Sequence, residues 1–300
     1  MSARLVPDAA FLAALETAHS VRFSAYVLNA GSAVVKALAS ACDRGAVIDV
    51  LLDGAPYRNG AGITRVNAAA ASELSRHGAH VHTTSSADPA MHLKAAVIDG
   101  TAYLDDRNWA SEDRDTIVAL DDADQVAAVA AALSGVAVPG GAATTFGSLA
   151  IEKQAALALE ARTIDEAPGD RIDVETESFG ATAVSKALAH RAARGDHVRL
   201  LVSQAELRGA SGRRERLALA KLAADGIDIE ATANTEKLCV AGDDAWIGSA
   251  NATFSPGPSL DWGLHSNDPA IVAGLERAFE RNWSAGVKIK PAQGSALSPL

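Results

Sequence analysis

The chain has 300 residues, of which 48% are hydrophobic and 21% are charged, and its formal net charge is −10. This composition excludes a disordered or collagen-like chain, and no apolar run reaches the roughly 18 to 20 residues of a membrane-spanning helix. Two cysteines are too few for a disulfide framework or a structural zinc site. We expect no secretory signal and a cytoplasmic location, and the net negative charge argues against nucleic acid as a partner.

The sequence contains two similar halves. Each has an amphipathic helix, a strand, a second helix that stops at Arg-Gly, another strand, a third helix closed by glycine and a short strand. The corresponding pieces are the helices 8–20 and 148–162, the strands 21–28 and 172–179, the Arg-Gly pairs 44–45 and 194–195, and the glycines 78 and 226. Alternating strands and helices predict α/β repeats with a mostly parallel sheet and ligands at the carboxyl ends of its strands.

This repeat predicts the domain organisation. We place the first repeat at 1–140 and the second at 141–290, with 291–300 as a flexible tail rich in small residues. The segment 136–145 has the Pro and Gly content of a linker between the two repeats.

The first half contains a cluster of residues suited to phosphate chemistry. His92 and Lys94 precede the tight-turn pair Asp99-Gly100, and Asn108 follows the strand that returns from this turn. On a strand, His92 and Lys94 would share a face. A neutral imidazole can attack phosphorus, and ammonium and carboxamide groups can stabilise the phosphoryl oxygens. The spacing therefore predicts a phosphate site that needs no metal or other cofactor.

The pattern His92-x-Lys94-x4-Asp99 with Asn108 downstream resembles the motif of the phospholipase D superfamily. The run from Arg44 to Asp53 is similar to the segment that usually precedes this motif. The resemblance covers nearly the whole chain, because members carry two such halves. It implies two pseudo-symmetric α-β-α sandwich repeats packed around one central cleft. It also implies a metal-independent phosphodiesterase or phosphatidyl transferase.

The second half carries a degenerate copy of the motif. Lys237 and Asn251 are 14 residues apart, as are Lys94 and Asn108, so the register of the repeat is secure. Ser249 also matches the family pattern. Thr235, however, stands where the resemblance places a second histidine.

The resemblance also assigns roles to individual residues. His92 is the nucleophile that forms a phosphohistidine, and Asp115 and Asp261 lie near the positions of carboxylates that orient the histidines. The further catalytic or substrate-binding residues at motif positions are Lys94, Asp99, Asn108, Lys237, Ser249 and Asn251. Independently of the resemblance, Arg208 is a candidate substrate-binding residue, because it lies in an arginine-rich loop that follows a strand.

Two departures from the family pattern affect the predicted mechanism. Thr235 cannot donate a proton near neutral pH, and loss of a general acid typically costs about 10²–10⁴-fold in rate. Asp105 and Asp106 replace an expected Gly-Ser pair, and they would repel a phosphate if they faced it.

Three interpretations follow from these departures. The protein is a slow or specialised enzyme that uses His92 with another acid, for which His265 is a candidate. Alternatively, it is a catalytically impaired module that binds a phosphorylated ligand. In the third interpretation, two chains pair so that two His92 residues meet. We expect a phospholipid or another small phosphodiester as substrate and a monomer or weak homodimer.

Overall fold

The structure is a computed structural model that describes residues 3–56, 61–85, 88–109, 116–134, 144–208, 211–233, 236–254 and 258–289. The helices are α1 (Asp8–Thr17), α2 (Ala33–Asp43), α3 (Ala61–Arg76), α4 (Ala123–Leu133), α5 (Lys153–Glu166), α6 (Ala183–Ala193), α7 (Ser211–Ala224) and α8 (Pro269–Ser284). The strands of the first half are β1 (Ala3–Val6), β2 (Ser20–Ala25), β3 (Val47–Leu52), β4 (His80–Thr83), β5 (Ala90–Met91), β6 (Ala95–Ile98), β7 (Thr101–Asp105) and β8 (Ile117–Leu120). The remaining strands are β9 (Thr144–Phe146), β10 (Leu149–Ile151), β11 (Arg171–Thr176), β12 (His197–Ser203), β13 (Asp228–Thr232), β14 (Leu238–Ala241), β15 (Asp244–Gly248), β16 (Ser259–Leu260), β17 (Trp262–Ser266) and β18 (Val287–Lys288).

The second helix of each repeat begins and ends as the sequence predicts. The side chain of Ser32 accepts a hydrogen bond from the first turn of α2, and Thr182 forms a capping box at the start of α6. Gly45 and Gly195 follow these helices with φ angles of 94° and 87°. Glycine adopts this left-handed conformation without a Cβ clash, so both Arg-Gly pairs are helix stops.

One compact unit comprises residues 1–159, 246–250 and 255–266. Its main sheet has the strand order β1-β8-β7-β6-β2-β3-β4. β2, β3 and β4 are parallel, whereas the other neighbouring pairs are antiparallel. The sheet is therefore mixed rather than mostly parallel as predicted, because the tight Asp99-Gly100 turn joins β6 to β7 as a hairpin. Phe11, Phe23 and Trp109 contribute stacked and tilted rings to the core of this unit.

The other compact unit comprises residues 160–245, 251–254 and 267–300. Within it, the strands follow the order β18-β13-β12-β11-β14. β11, β12 and β13 are parallel, and β14 and β18 pair antiparallel with β11 and β13 respectively. Each half thus combines a mixed sheet with helices, which confirms the predicted α/β class. Segments 246–250 and 255–266 belong to the first unit, so the compact units do not coincide with the sequence repeats; the boundary at 140/141 stays a prediction.

Several predicted boundaries shift. The helix predicted over 148–162 begins at Lys153, because β10 occupies the first part of that range and Glu152 has a φ of 115°. Residues 136–143 of the predicted linker and the predicted tail, 291–300, lie outside the described residues. None of the helices in the described ranges combines the length and apolar character needed to cross a membrane.

Candidate active site

His92 lies in a short segment between β5 and β6, and this segment is fixed on both sides of the imidazole. On one side, the Met91 amide donates a hydrogen bond of 2.9 Å to the carboxylate of Asp53, which follows β3. On the other side, the hydroxyl of Ser24 donates a hydrogen bond of 2.8 Å to the Leu93 carbonyl. The residues of β2 and β3 therefore determine where His92 lies. The strand predicted through His92 begins only at residue 95, so the expectation of strand alternation is wrong here.

The imidazole of His92 contacts a carboxylate and an ammonium group. Its Nδ1 is 2.6 Å from Oδ1 of Asp261, and its Nε2 is 2.9 Å from Nζ of Lys94. The ring of Tyr26 packs edge-on against the imidazole, with 4.8 Å between ring centroids. Because the carboxylate accepts the Nδ1 proton, Nε2 carries the lone pair of the neutral ring, and the ammonium of Lys94 lies against it. His92 and Lys94 thus project together as predicted, and Asp261 joins them from 169 residues away.

Asp261 is buried and is held by several donors. The hydroxyls of Ser249 and Ser259 lie 3.1 Å and 2.7 Å from its two carboxylate oxygens. Burial alone raises the pKa of Asp261. The charges of His92 and Lys94, together with the hydrogen bonds from His92 and Ser259, nevertheless hold this pKa well below its usual value. Asp261 is therefore an anion over the whole physiological pH range. Ser249 is fully buried and its hydroxyl supports the Asp261 carboxylate; the contact with substrate predicted for it stays a prediction.

Asn108 and Asp99 have distinct placements in the first unit. Oδ1 of Asn108 accepts a hydrogen bond of 3.3 Å from the Val27 amide, just past the end of β2. Asp99 lies at the hairpin turn with a φ of 45°, and its carboxylate accepts hydrogen bonds from the amides of His19 and Ser20. These contacts of Asp99 join the hairpin turn to the start of β2, and the role in the site that the motif predicts for Asp99 stays a prediction.

Asp105 and Asp106 are fully buried and are engaged by backbone amides. The Asp105 carboxylate accepts a hydrogen bond of 2.6 Å from the Trp109 amide, and the Asp106 carboxylate accepts one of 3.3 Å from the Thr116 amide. These two hydrogen bonds therefore hold the chain after β7 in place. Repulsion of a substrate phosphate was expected only if these carboxylates faced the site, and these contacts give them a structural role instead.

In the second unit, the motif lysine and asparagine converge on a carboxylate that sequence reasoning missed. Oε2 of Glu177 is 3.4 Å from Nζ of Lys237 and 3.3 Å from Nδ2 of Asn251. The Lys237 side chain is only 4% exposed, whereas that of Glu177 is 40% exposed. The signal that could have found Glu177 is its position directly after β11, where a parallel sheet places its ligand-binding residues.

A pair of buried glutamates lies beside this group. The backbone amide of Glu236 donates a hydrogen bond of 2.8 Å to the Glu175 carboxyl group. The side-chain Nδ2 of Asn282 lies 3.0 Å from an oxygen of Glu175 and 3.4 Å from an oxygen of Glu236. Burial and the nearby charge of Glu236 raise the pKa of Glu175 to about 8. Glu175 is therefore protonated at neutral pH.

The other predicted site residues are less informative. Thr235 and Asp115 lie outside the described residues. Arg208 is exposed after β12, and His265 lies on β17, so the roles predicted for them stay predictions. Among the described residues, no group of three or more His, Cys, Asp or Glu side chains is arranged to hold a metal ion.

Comparison with known proteins places these features in context. The family model described as "Cardiolipin synthase, PLD-like domain" matches residues 12–138 and 161–283, once in each half. A comparison with curated protein sequences finds no match.

Solved structures share the fold. Phosphatidylserine synthase from Haemophilus influenzae Rd KW20 is 12% identical with a TM-score of 0.67, and the match covers 97% of this chain and 88% of that one. Polyphosphate kinase from Porphyromonas gingivalis is 14% identical with a TM-score of 0.67, and the match covers 99% of this chain. The chain spans about half of that kinase, since 51% of its length is covered.

Proposed function

Because the chain belongs to the family of cardiolipin synthase-type, phospholipase D-like domains, we propose that it cleaves or transfers phosphodiesters through a phosphohistidine on His92. The observation that carries this proposal is the hydrogen bond of 2.6 Å between His92 and Asp261, combined with the ammonium of Lys94, which lies 3.1 Å from Nδ1 and 2.9 Å from Nε2 of the same ring. One group orients the nucleophile and the other supplies positive charge for the phosphoryl oxygens.

In the first step, the Nε2 lone pair of His92 attacks phosphorus, the P–O bond to the leaving group breaks, and its electron pair stays on that oxygen. The Nδ1 proton remains hydrogen-bonded to Asp261, whose charge stabilises the positive ring of the phosphohistidine. Lys94 turns its ammonium to the phosphoryl oxygens. In the second step, water or an alcohol attacks phosphorus, the P–N bond breaks, the electron pair returns to Nε2, and the proton of the attacking hydroxyl passes to bulk water. No metal takes part in this scheme.

Thr235 narrows the proposed substrate class. An alkoxide leaving group needs a proton, and a threonine hydroxyl does not donate one near neutral pH. A leaving group that is stable as an anion, such as a phosphate or a nitrophenolate, departs without one. We therefore propose that the preferred substrate is a phospholipid or small phosphodiester whose leaving group is stable as an anion. We further propose a cytoplasmic monomer or weak homodimer, and the net charge of −10 disfavours nucleic acid.

The phosphohistidine provides the direct test. A phosphodiester with a nitrophenolate leaving group should add an acid-labile phosphoryl group to the His92 peptide, as measured by mass spectrometry after rapid quenching. The label should be absent from His92→Ala and unchanged in His82→Ala, a control at an exposed histidine. Label that persists in His92→Ala would exclude this nucleophile. A wild type that binds the phosphodiester but is not labelled would instead support the alternative function, a catalytically impaired module that binds a phosphorylated ligand. The replacement of the second histidine by Thr235 is the observation that favours this alternative.

Restoring the second imidazole should increase turnover in a substrate-dependent way. We expect Thr235→His to raise kcat for an alkyl phosphodiester by about 10²-fold, because the imidazole protonates the alkoxide. The same variant should change kcat for the nitrophenyl substrate by less than about threefold, since nitrophenolate needs no proton. Steady-state kinetics with both substrates measures the difference. An equal effect on the two substrates would contradict the assignment of the defect to missing acidity.

A further inference from the structure

β2 of the first repeat corresponds to β11 of the second, and the residue that directly follows each strand differs in chemistry between the repeats. In the first unit, Tyr26 follows β2, and the ammonium of Lys94 lies 5.6 Å from the centroid of its ring. In the second unit, Glu177 follows β11, and its carboxylate contacts the ammonium of Lys237 at 3.4 Å. The motif lysine therefore faces an aromatic ring in one repeat and a full negative charge in the other.

The motif asparagines show the same contrast. In the first unit, the Asn108 side chain accepts a hydrogen bond from the backbone after β2. In the second unit, Nδ2 of Asn251 lies 3.3 Å from the same Glu177 oxygen that contacts Lys237. One oxygen of Glu177 thus lies against both groups that would donate hydrogen bonds to a bound anion.

We propose that Glu177 is an internal competitor for phosphate, whose carboxylate occupies the anion position formed by Lys237 and Asn251. A carboxylate oxygen and a phosphate oxygen make the same charge-assisted hydrogen bonds, so they compete for the same donors. Lys237 is nearly buried and Glu177 is partly exposed, so an anion that approaches from solvent first meets the carboxylate. We therefore expect the second repeat to bind phosphate weakly, and we attribute this low affinity to Glu177.

Binding of inorganic phosphate to the full chain tests the proposal. Glu177→Gln keeps the side-chain size and removes the charge, and we expect it to strengthen phosphate binding at least about tenfold, measured by isothermal titration calorimetry. Adding Lys237→Met to Glu177→Gln should abolish this gain. Lys237→Met alone should not strengthen phosphate binding, because it removes the ammonium and leaves the Glu177 carboxylate in place. The wild type, the two single variants and the double variant form a double-mutant cycle. All four proteins keep Lys94, so any phosphate that Lys94 binds contributes equally to each and cancels.

A matched control separates local contact from overall charge. Glu206→Gln removes one exposed carboxylate from the turn after β12 of the same unit, and it should change phosphate affinity less than twofold. An unchanged affinity in Glu177→Gln, or a gain no larger than in Glu206→Gln, would overturn the proposal. If Glu177→Gln fails to fold, Glu177→Tyr can replace it, because it introduces the residue found at this place in the first repeat. We expect the same gain in phosphate affinity from Glu177→Tyr, and its absence would likewise overturn the proposal.

The inference rests on the proposed function only for the choice of phosphate as the anion. Its readout is equilibrium binding, whereas the function is tested by covalent labelling of His92. A phosphohistidine without a binding gain in Glu177→Gln would refute only the role of Glu177. A binding gain without a phosphohistidine would refute only the catalytic scheme.

Discussion

Replacing Asp261 with asparagine is expected to lower kcat by about 10³-fold while the protein remains folded. The carboxylate fixes the proton on Nδ1 of His92 through a hydrogen bond of 2.6 Å, and its charge balances the imidazolium of the phosphoenzyme. An asparagine at this position has nearly the same volume, but it carries no charge and does not enforce this tautomer. The loss should appear both in steady-state turnover and in the single-turnover rate of phosphohistidine formation.

The pH dependence gives a second readout for Asp261→Asn. The anion at Asp261 favours the protonated form of His92, so its removal lowers the pKa of that imidazole. Because the attacking ring must be neutral, the acid limb of the kcat/KM profile should move to lower pH. A merely structural role for Asp261 would not move this limb.

Ser259→Ala is the matched control for the carboxylate. It removes one donor, at 2.7 Å, from Asp261 and keeps the negative charge, so we expect a loss of about tenfold or less. An Asp261→Asn variant within tenfold of the wild-type kcat, or an acid limb that moves to higher pH, would show that Asp261 does not act on His92 as described.

Local sequence signals predicted part of the site well. The proximity of His92 and Lys94 and the hairpin at Asp99-Gly100 were both predicted, because each prediction uses only a few consecutive residues. The strand alternation used for this spacing does not apply, since residues 92–94 precede β6. The two side chains meet anyway because Asp53 and Ser24 fix the backbone around them.

Contacts over long sequence separations were predicted only in outline. The resemblance placed Asp261 among the carboxylates that orient a histidine, but its contact with His92 depends on the packing of residues 258–266 within the first unit. The orientation of Asp105 and Asp106 was open, because it depends on amides of the chain beyond β7. Glu177 was missed since a single carboxylate after a strand has no motif of its own.

The second prediction with a large expected effect concerns the stability of the folded chain, and it rests on Glu175. Its side chain is fully buried, and burial with the neighbouring charge of Glu236 raises its pKa to about 8, against an ordinary value of 4.5. Below pH 4.5 the carboxyl is protonated in both the folded and the unfolded chain. As pH rises toward 8, the unfolded chain releases this proton and the folded chain keeps it, so the contribution of Glu175 to stability falls.

Replacing Glu175 with glutamine removes this penalty at every pH. We expect Glu175→Gln to raise the free energy of unfolding on the order of 4 kcal/mol at pH 8.5, and to leave it nearly unchanged close to pH 4.5. The amide oxygen of the new side chain keeps the hydrogen bond from the Glu236 backbone. Urea unfolding at several pH values measures the difference.

Glu276→Gln is a suitable control, because it removes an exposed carboxylate from α8 of the same unit. It should produce no gain that grows with pH. A Glu175→Gln variant whose stability relative to wild type is the same at pH 5 and pH 8.5 would mean that the folded chain does not hold a proton on Glu175. The expected result would instead show that the second repeat keeps a destabilising buried acid directly beside its motif lysine, Lys237. In the first repeat Ser24 holds the place of Glu175 after the same number of strand residues, so this cost belongs to the second repeat alone.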